Sequence, residues 1–209
     1  MRSVKKNYST ESEIHRTIEE HDTLHEIVKI LHQQDDFLNN LENVLVALTR
    51  FSELEEEYKA GIFLADQKNK VLRLFCTVGE FPNKFFKLED KILYGQCLCG
   101  KVASSGELMN VPSCCEDDRY DSKSMTKVSR GAYVVPLKSH EQVVGIMFLY
   151  TKEFPSVQKR NKELLLSIGG LIGDAIVSHQ RDEELCRLKY ELYELNELAA
   201  KDKISLPTV

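Results

Sequence analysis

From Ala60 to Tyr150 the apolar residues of this chain gather in short runs with a period of two, whereas on either side they recur every third or fourth position. The first spacing is that of a strand with one buried face, the second that of a helix with an apolar stripe. A chain patterned in this way folds as hairpins enclosed between long helices, which is an α+β arrangement.

The runs "AGIFLA" and "VLRLFCTV" flank the polar "DQKNK", which predicts strands over 60 to 65 and 70 to 77, and "AYVVPL" and "QVVGIMFLY" flank "KSHE". Each pair predicts an antiparallel hairpin. Between the hairpins, residues 97 to 105 predict a short helix stopped by Gly106, and "ELMNV" (107 to 111) a short strand. Residues 112 to 130 show no periodicity, and a polar loop of that length inside a domain points to function.

Helices are predicted over 10 to 33, opened by "STESE", and over 36 to 55, with Phe37, Leu41, Val44, Leu45, Leu48 and Phe51 on one face. The last helix runs from about Ser156 to Lys201, interrupted by no residue that disfavours helix except Gly169, Gly170 and Gly173. Its first half has a broad apolar face. From Leu185 it narrows to Leu185, Leu188, Leu192, Leu195 and Ala199, the seam of a coiled coil.

With 28 Lys and Arg against 33 Asp and Glu, the chain is acidic and has no basic block longer than two residues. That argues against nucleic acid as a partner, because phosphate binding needs concentrated positive charge. "VVGIMFLY", the longest apolar stretch, falls well short of the roughly 20 residues that span a bilayer. No apolar signal core follows the basic start. Both features predict a cytoplasmic protein with no membrane partner, whose six cysteines are reduced.

"GQCLCG" (95 to 100), "DDRY" (117 to 120) and "YVVPL" (133 to 137) follow one another in the order of elements just described. In this the sequence resembles the GAF domain family over about residues 35 to 180, and within it a bacterial signalling subgroup with a G-x-C-L-C-G motif. "RGAY" (130 to 133) stands where that subgroup has H-G-H-Y. The resemblance implies a GAF/PAS-like central antiparallel sheet, helices on one face, a ligand pocket roofed by a short helix and loops on the other, and long N- and C-terminal signalling helices. It also implies a regulatory sensor of bacterial signal transduction that binds a small-molecule ligand, forms a parallel homodimer through its terminal helices, and controls a kinase, cyclase or transcriptional effector. The chain then divides into an N-terminal helix (1–34), the GAF domain (35–180) and a C-terminal coiled-coil helix and tail (181–209).

On that layout Cys97 and Cys99 open the roof helix, and Cys114 and Cys115 open the loop across the same pocket. Three readings of these thiols stand side by side. They hold iron, an iron-sulfur cluster or zinc; they form a reversible disulfide, for example between Cys99 and Cys114 or Cys115; or they pack as small hydrophobes. Asp117, Asp118, Arg119 and Tyr120 hold a polar or anionic ligand or lock their loop to itself, and Tyr133 faces the pocket or packs. Cys76 and Cys186 are expected at packing or surface positions.

The resemblance also raises an enzyme reading, a reductase of free methionine sulfoxide with a cysteine before a glycine in the roof, as Cys99 is. That chemistry needs a second thiol shortly before the last hairpin, and residues 125 to 135 contain none. A non-catalytic sensor is the expectation, with a ligand-free dimerisation scaffold as a third reading. Finally, Ile14, Ile18, His21, His25, Val28 and His32 form one narrow seam. It suits a partner helix, and acidification would charge its three imidazoles together and weaken the contact.

Overall fold

The computed structural model describes residues 2–50, 56–111, 131–151 and 159–204. Two helices lead: α1 (Arg2–Leu31) and α2 (Phe37–Thr49). The first hairpin pairs β1 (Glu56–Asp66) with β2 (Val71–Val78) around a turn in which Asp66 Oδ1 accepts from the backbone N–H of Asn69 at 3.0 Å. Then come α3 (Asn83–Leu88), β3 (Lys91–Leu93), α4 (Cys97–Ser105) and β4 (Met109–Val111). The second hairpin, β5 (Gly131–Ser139) with β6 (Gln142–Thr151), leads to α5 (Lys159–Ile204).

The strands form one six-stranded sheet in the order β3-β2-β1-β6-β5-β4, antiparallel at every pairing. Its two faces carry two different cores. On one side α2 and the first half of α5 bury Leu41, Leu45, Leu48, Leu165, Ile168 and Ile172 against Ala60, Ile62, Val135 and Met147. On the other, α3 and α4 bury Phe85, Leu98 and Val102 against Phe63, Val134, Ile146 and Phe148. Both hairpins are therefore buried on two sides, which explains why β5 and β6 read as nearly continuous apolar runs rather than as strict alternation.

α1 starts well before the expected position, so "STESE" lies inside it rather than at its cap. α3 and β3 were not expected. The "NKFFKL" helix is only six residues long, too short for a periodic pattern to distinguish it. The three glycines of α5 are not interruptions. A side-chain carbon on Gly169 would lie 2.6 Å from the Pro136 carbonyl oxygen, and one on Gly173 would collide with the backbone of Lys138. They allow α5 to rest directly on β5, close enough that the lost helix propensity of about 1 kcal/mol per glycine is offset by packing. Gly170 faces open space.

α1 and α5 run side by side in the same direction: Arg16 and Thr17 meet Asn161 and Arg160, and farther along Val28 and Leu31 border the groove beside Leu171 and Ala175. Past that groove α5 leaves the domain, and every residue from Gln180 to Leu198 is exposed. The seam expected on α1 is also exposed, with Ile14 and Ile18 more than half so. Among the described residues, no helix is long and apolar enough to cross a membrane.

Candidate functional site

The "GQCLCG" segment is first a piece of backbone engineering. Gly95 takes a left-handed φ of 82°, and its N–H donates to the Gly100 carbonyl at 2.8 Å. The Gln96 N–H donates to the Leu93 carbonyl at 3.0 Å while its Oε1 accepts from the Leu93 N–H at 3.3 Å, which ties the start of α4 to the end of β3. A Cβ at Gly100 would strike the Leu93 carbonyl oxygen, so the second glycine is required by close approach. Gly106, at φ 68°, ends α4 by donating to the Val102 carbonyl at 2.8 Å. Cys97 is the exception in this frame. It is a non-glycine residue at φ 43°, a conformation that costs of order 1 kcal/mol and persists only where its surroundings enforce it.

Beneath α4 lies a small cavity of about 40 Å³, partly open to solvent. Cys97, Leu98 and Cys99 form its roof. Ala132, Val134, Phe148 and Tyr150 form the floor, with Phe63 beside them. Phe85 and Glu89, from α3 and its C-terminal cap, close one side. The walls are an aromatic cluster: the Phe148 centroid is 5.5 Å from Phe63, 6.1 Å from Phe85 and 5.6 Å from Tyr150. Gly61 permits this, because a Cβ there would lie 2.5 Å from the Phe148 ring. Among the described residues Glu89 is the one carboxylate of the lining, so the cavity suits a molecule with a flat or apolar body and a small polar end.

The two thiols are free and half-buried. Cys99 donates its S–H to the Cys97 sulfur, and that bond holds the Cys97 pKa below the ordinary cysteine value. Burial opposes it, the Gly100 and Cys99 backbone N–H groups assist it, and the Glu89 carboxylate pushes back. Cys76 shows the contrary environment. Buried in the helix-side core near Glu42, its thiol is pushed up to about 12, chiefly by burial. Cys186 is exposed on α5.

Of the residues expected in the site, Cys97 and Cys99 line the cavity. Tyr133 does not, and this is a correction: it is 1% exposed and belongs to the core beneath the helices, one residue out of phase with Ala132 and Val134. Strand alternation decides this, and Tyr150 supplies the phenol of the cavity instead. Cys114, Cys115, Asp117, Asp118, Arg119 and Tyr120 lie outside the described residues. Among the described residues no three His, Cys, Asp or Glu side chains converge as a metal site, so Cys97 and Cys99 would offer iron, an iron-sulfur cluster or zinc two sulfurs here. Phe63, Phe85, Glu89, Phe148 and Tyr150 were not foreseen. The clustered "FPNKFF" and the alternate aromatics Phe148 and Tyr150 were the available signals.

The GAF domain family model matches residues 20–176. No curated protein matches the chain significantly. Among solved structures, the nlh2 GAF domain of A. aeolicus in an inactive state is similar at 23% identity and a TM-score of 0.62, covering 78% of this chain and 99% of that one. The GAF domain of a phosphoenolpyruvate-protein phosphotransferase from Coxiella burnetii gives 16% and 0.67, covering 80% and 98%. The free methionine-R-sulfoxide reductase of Neisseria meningitidis, solved with its substrate, gives 18% and 0.64, covering 78% and 91%. At these identities the likeness is one of fold.

Proposed function

We propose that this chain, which belongs to the GAF domain family, is the sensory module of a bacterial signalling protein. It reads a small ligand, or the redox state of its thiols, in the aromatic cavity under α4. The observation that carries this reading is the double duty of β5. Ala132 and Val134 form the cavity floor, while Tyr133, Val135 and Leu137 pack under the helices in the core that includes α5. At Gly169 and Gly173 α5 also rests directly on the backbone of β5, at Pro136 and Lys138, so a shift of β5 is felt by α5 through backbone as well as side chains. A ligand that fits one position of β5 better than another therefore biases the position of α5, as a population shift between two packings.

The exposed extension of α5 is the outlet. With Leu185 and Leu192 at heptad position a and Leu188 and Leu195 at d, Glu184 falls at g and Lys189 at the following e. Those charges attract across a parallel pair of helices. A parallel homodimer joined by this seam and by the Ile14, Ile18 and Val28 stripe of α1 would pass the shift to a kinase, cyclase or transcriptional effector. Thermal-shift screening with small aromatic and apolar compounds tests the reading, followed by amide exchange along α5 with the best binder. Altered exchange from Gly169 onward that is absent in Val134→Trp supports it. Binding that leaves α5 unchanged would sink it.

A second reading has one observation in its favour, two thiols opening into a cavity in a fold shared with free methionine-R-sulfoxide reductases. Turnover of methionine sulfoxide with a thiol reductant separates a reductase from a sensor.

A further inference from the structure

Side chains two positions apart on a regular helix point to nearly opposite sides. Cys97 and Cys99 escape this because Cys97 is left-handed at φ 43° before the regular turns begin, which places its sulfur as the acceptor of the Cys99 thiol. Both cysteines then border one cavity whose other walls are mainly apolar, with Phe63, Phe85, Val134 and Phe148 beside Tyr150 and Glu89. The strained backbone thus holds two reactive atoms together at the mouth of an apolar chamber.

We propose that Cys97 and Cys99 are a peroxide-reactive pair: Cys97 attacks an organic hydroperoxide seated in the cavity, and Cys99 resolves the product to an intrachain disulfide. In the first step the Cys97 thiolate attacks the terminal oxygen of R–O–OH. The S–O bond forms, the O–O bond breaks, and the departing alkoxide takes up the proton that Cys97 released. Sulfur is oxidised by two electrons to a sulfenic acid and the hydroperoxide is reduced to an alcohol. In the second step Cys99 loses its proton and attacks the Cys97 sulfur. The S–S bond forms, the S–O bond breaks, and hydroxide leaves with that proton as water. The sum is two thiols and one hydroperoxide giving one disulfide, one alcohol and one water.

The roles follow from the surroundings. Cys97 receives the donors that favour a thiolate, namely Cys99 and the Gly100 and Cys99 N–H groups, and it is the attacking group. The apolar walls select an organic hydroperoxide over hydrogen peroxide, because its hydrocarbon body gains from burial. This inference rests on the sensor reading, to which it assigns a signal: oxidation rewrites the first turn of α4, over the floor that β5 shares with α5.

The test uses the reduced full chain with cumene hydroperoxide and with hydrogen peroxide, followed by peptide mapping. The expected result is loss of two hydrogens per chain, mapped to a Cys97–Cys99 bond, at least about tenfold faster with the organic oxidant. Cys99→Ser should stop at one added oxygen on Cys97, captured by a sulfenic-acid probe, and Cys97→Ser should slow the reaction about tenfold or more. Glu89→Gln should accelerate it, since the opposing carboxylate is gone. A Cys97 no faster than the exposed Cys186, an equal rate with hydrogen peroxide, or a disulfide to Cys114 or Cys115 would overturn the assignment. The sensor reading is scored separately by α5 exchange. A disulfide that leaves α5 exchange unchanged counts against transmission while the thiol chemistry stands, and a ligand response in the Cys97→Ser, Cys99→Ser chain keeps the sensor without it.

Discussion

Arg160 at the start of α5 places both Nε and Nη2 2.7 Å from one carboxylate oxygen of Glu20 on α1. Glu20 holds a second guanidinium through its other oxygen, Arg16 Nε at 3.3 Å, and Arg160 Nη2 also donates to Thr17 Oγ1 at 2.8 Å. Arg16 in turn donates to Asn161, which is fully buried. This network fixes α1 to α5 in parallel, at the end of the domain opposite the exposed coil. Glu20 and Arg16 are 13% and 16% exposed, so solvent screens that pair less than a surface pair, whereas Arg160 is 39% exposed and its contact with Glu20 is screened more.

Glu20→Gln should therefore destabilise the chain by about 1 to 3 kcal/mol, because it leaves two guanidinium groups facing a neutral partner. A double-mutant cycle with Arg160→Met, read by urea unfolding, should give a coupling of about 1 kcal/mol or more. Additive losses would mean that the pair does not hold the helices.

The aromatic wall makes a second prediction. Gly61→Val should cost about 1 to 3 kcal/mol, since its side chain must displace the Phe148 ring. Phe148→Ala in the same chain should recover part of that cost. The recovery should be incomplete because the new Cβ also lies 3.0 Å from the Cys76 carbonyl oxygen, which cannot move as a side chain can.

The two kinds of thiol should leave opposite marks on the pH dependence of stability. For Cys76 the folded protein keeps its proton to about 12 while the unfolded chain loses it near 9.0, so between those values the folded state binds more protons and stability falls as pH rises. The slope reaches at most about 1.4 kcal/mol per pH unit, and the difference between the wild-type chain and Cys76→Ala at about pH 8 and about pH 10 isolates it. For Cys97 the folded pKa is lowered, so its contribution is present above the ordinary cysteine value and is lost as pH falls through the folded one. Alkylation should accordingly mark Cys97 at a pH where Cys76 is untouched.

The proposed dimer is tested at its seam. Leu188 and Leu195 are 47% and 63% exposed in the single chain, so replacing both with Glu should leave folding nearly unchanged. The same change should shift a sedimentation measurement from dimer to monomer. A dimer that survives would place the contact elsewhere.

The candidate site was legible in part, and the parts differ in how far their causes reach. The helix from Cys97 to Ser105 and its stop at Gly106 came from the residues themselves, since a left-handed glycine ends a helix by a bond to its own last turn. Both hairpins were found for the same reason, with polar turns between apolar runs. Phe85 was missed because its element is one short helix, and its role comes from meeting Phe148, far away in the chain. Tyr133 was left open between pocket and core. Alternation places it opposite Ala132 and Val134, but only the packing of the helices on one face tells which side holds the cavity.

By itself, then, the sequence determined the order of the hairpins and of every helix except α3, the long terminal helix with its leucine seam, and the presence of two thiols one residue apart between glycines. These rest on backbone preferences and spacings that act over a few residues. Tertiary structure decided that Gly169 and Gly173 seat α5 on β5, that the aromatic cluster encloses a cavity, and that Cys97 turns its sulfur onto Cys99. Each of those depends on atoms brought together by sheet pairing and helix packing, and the energies that select them are non-local contacts that no spacing along the chain encodes.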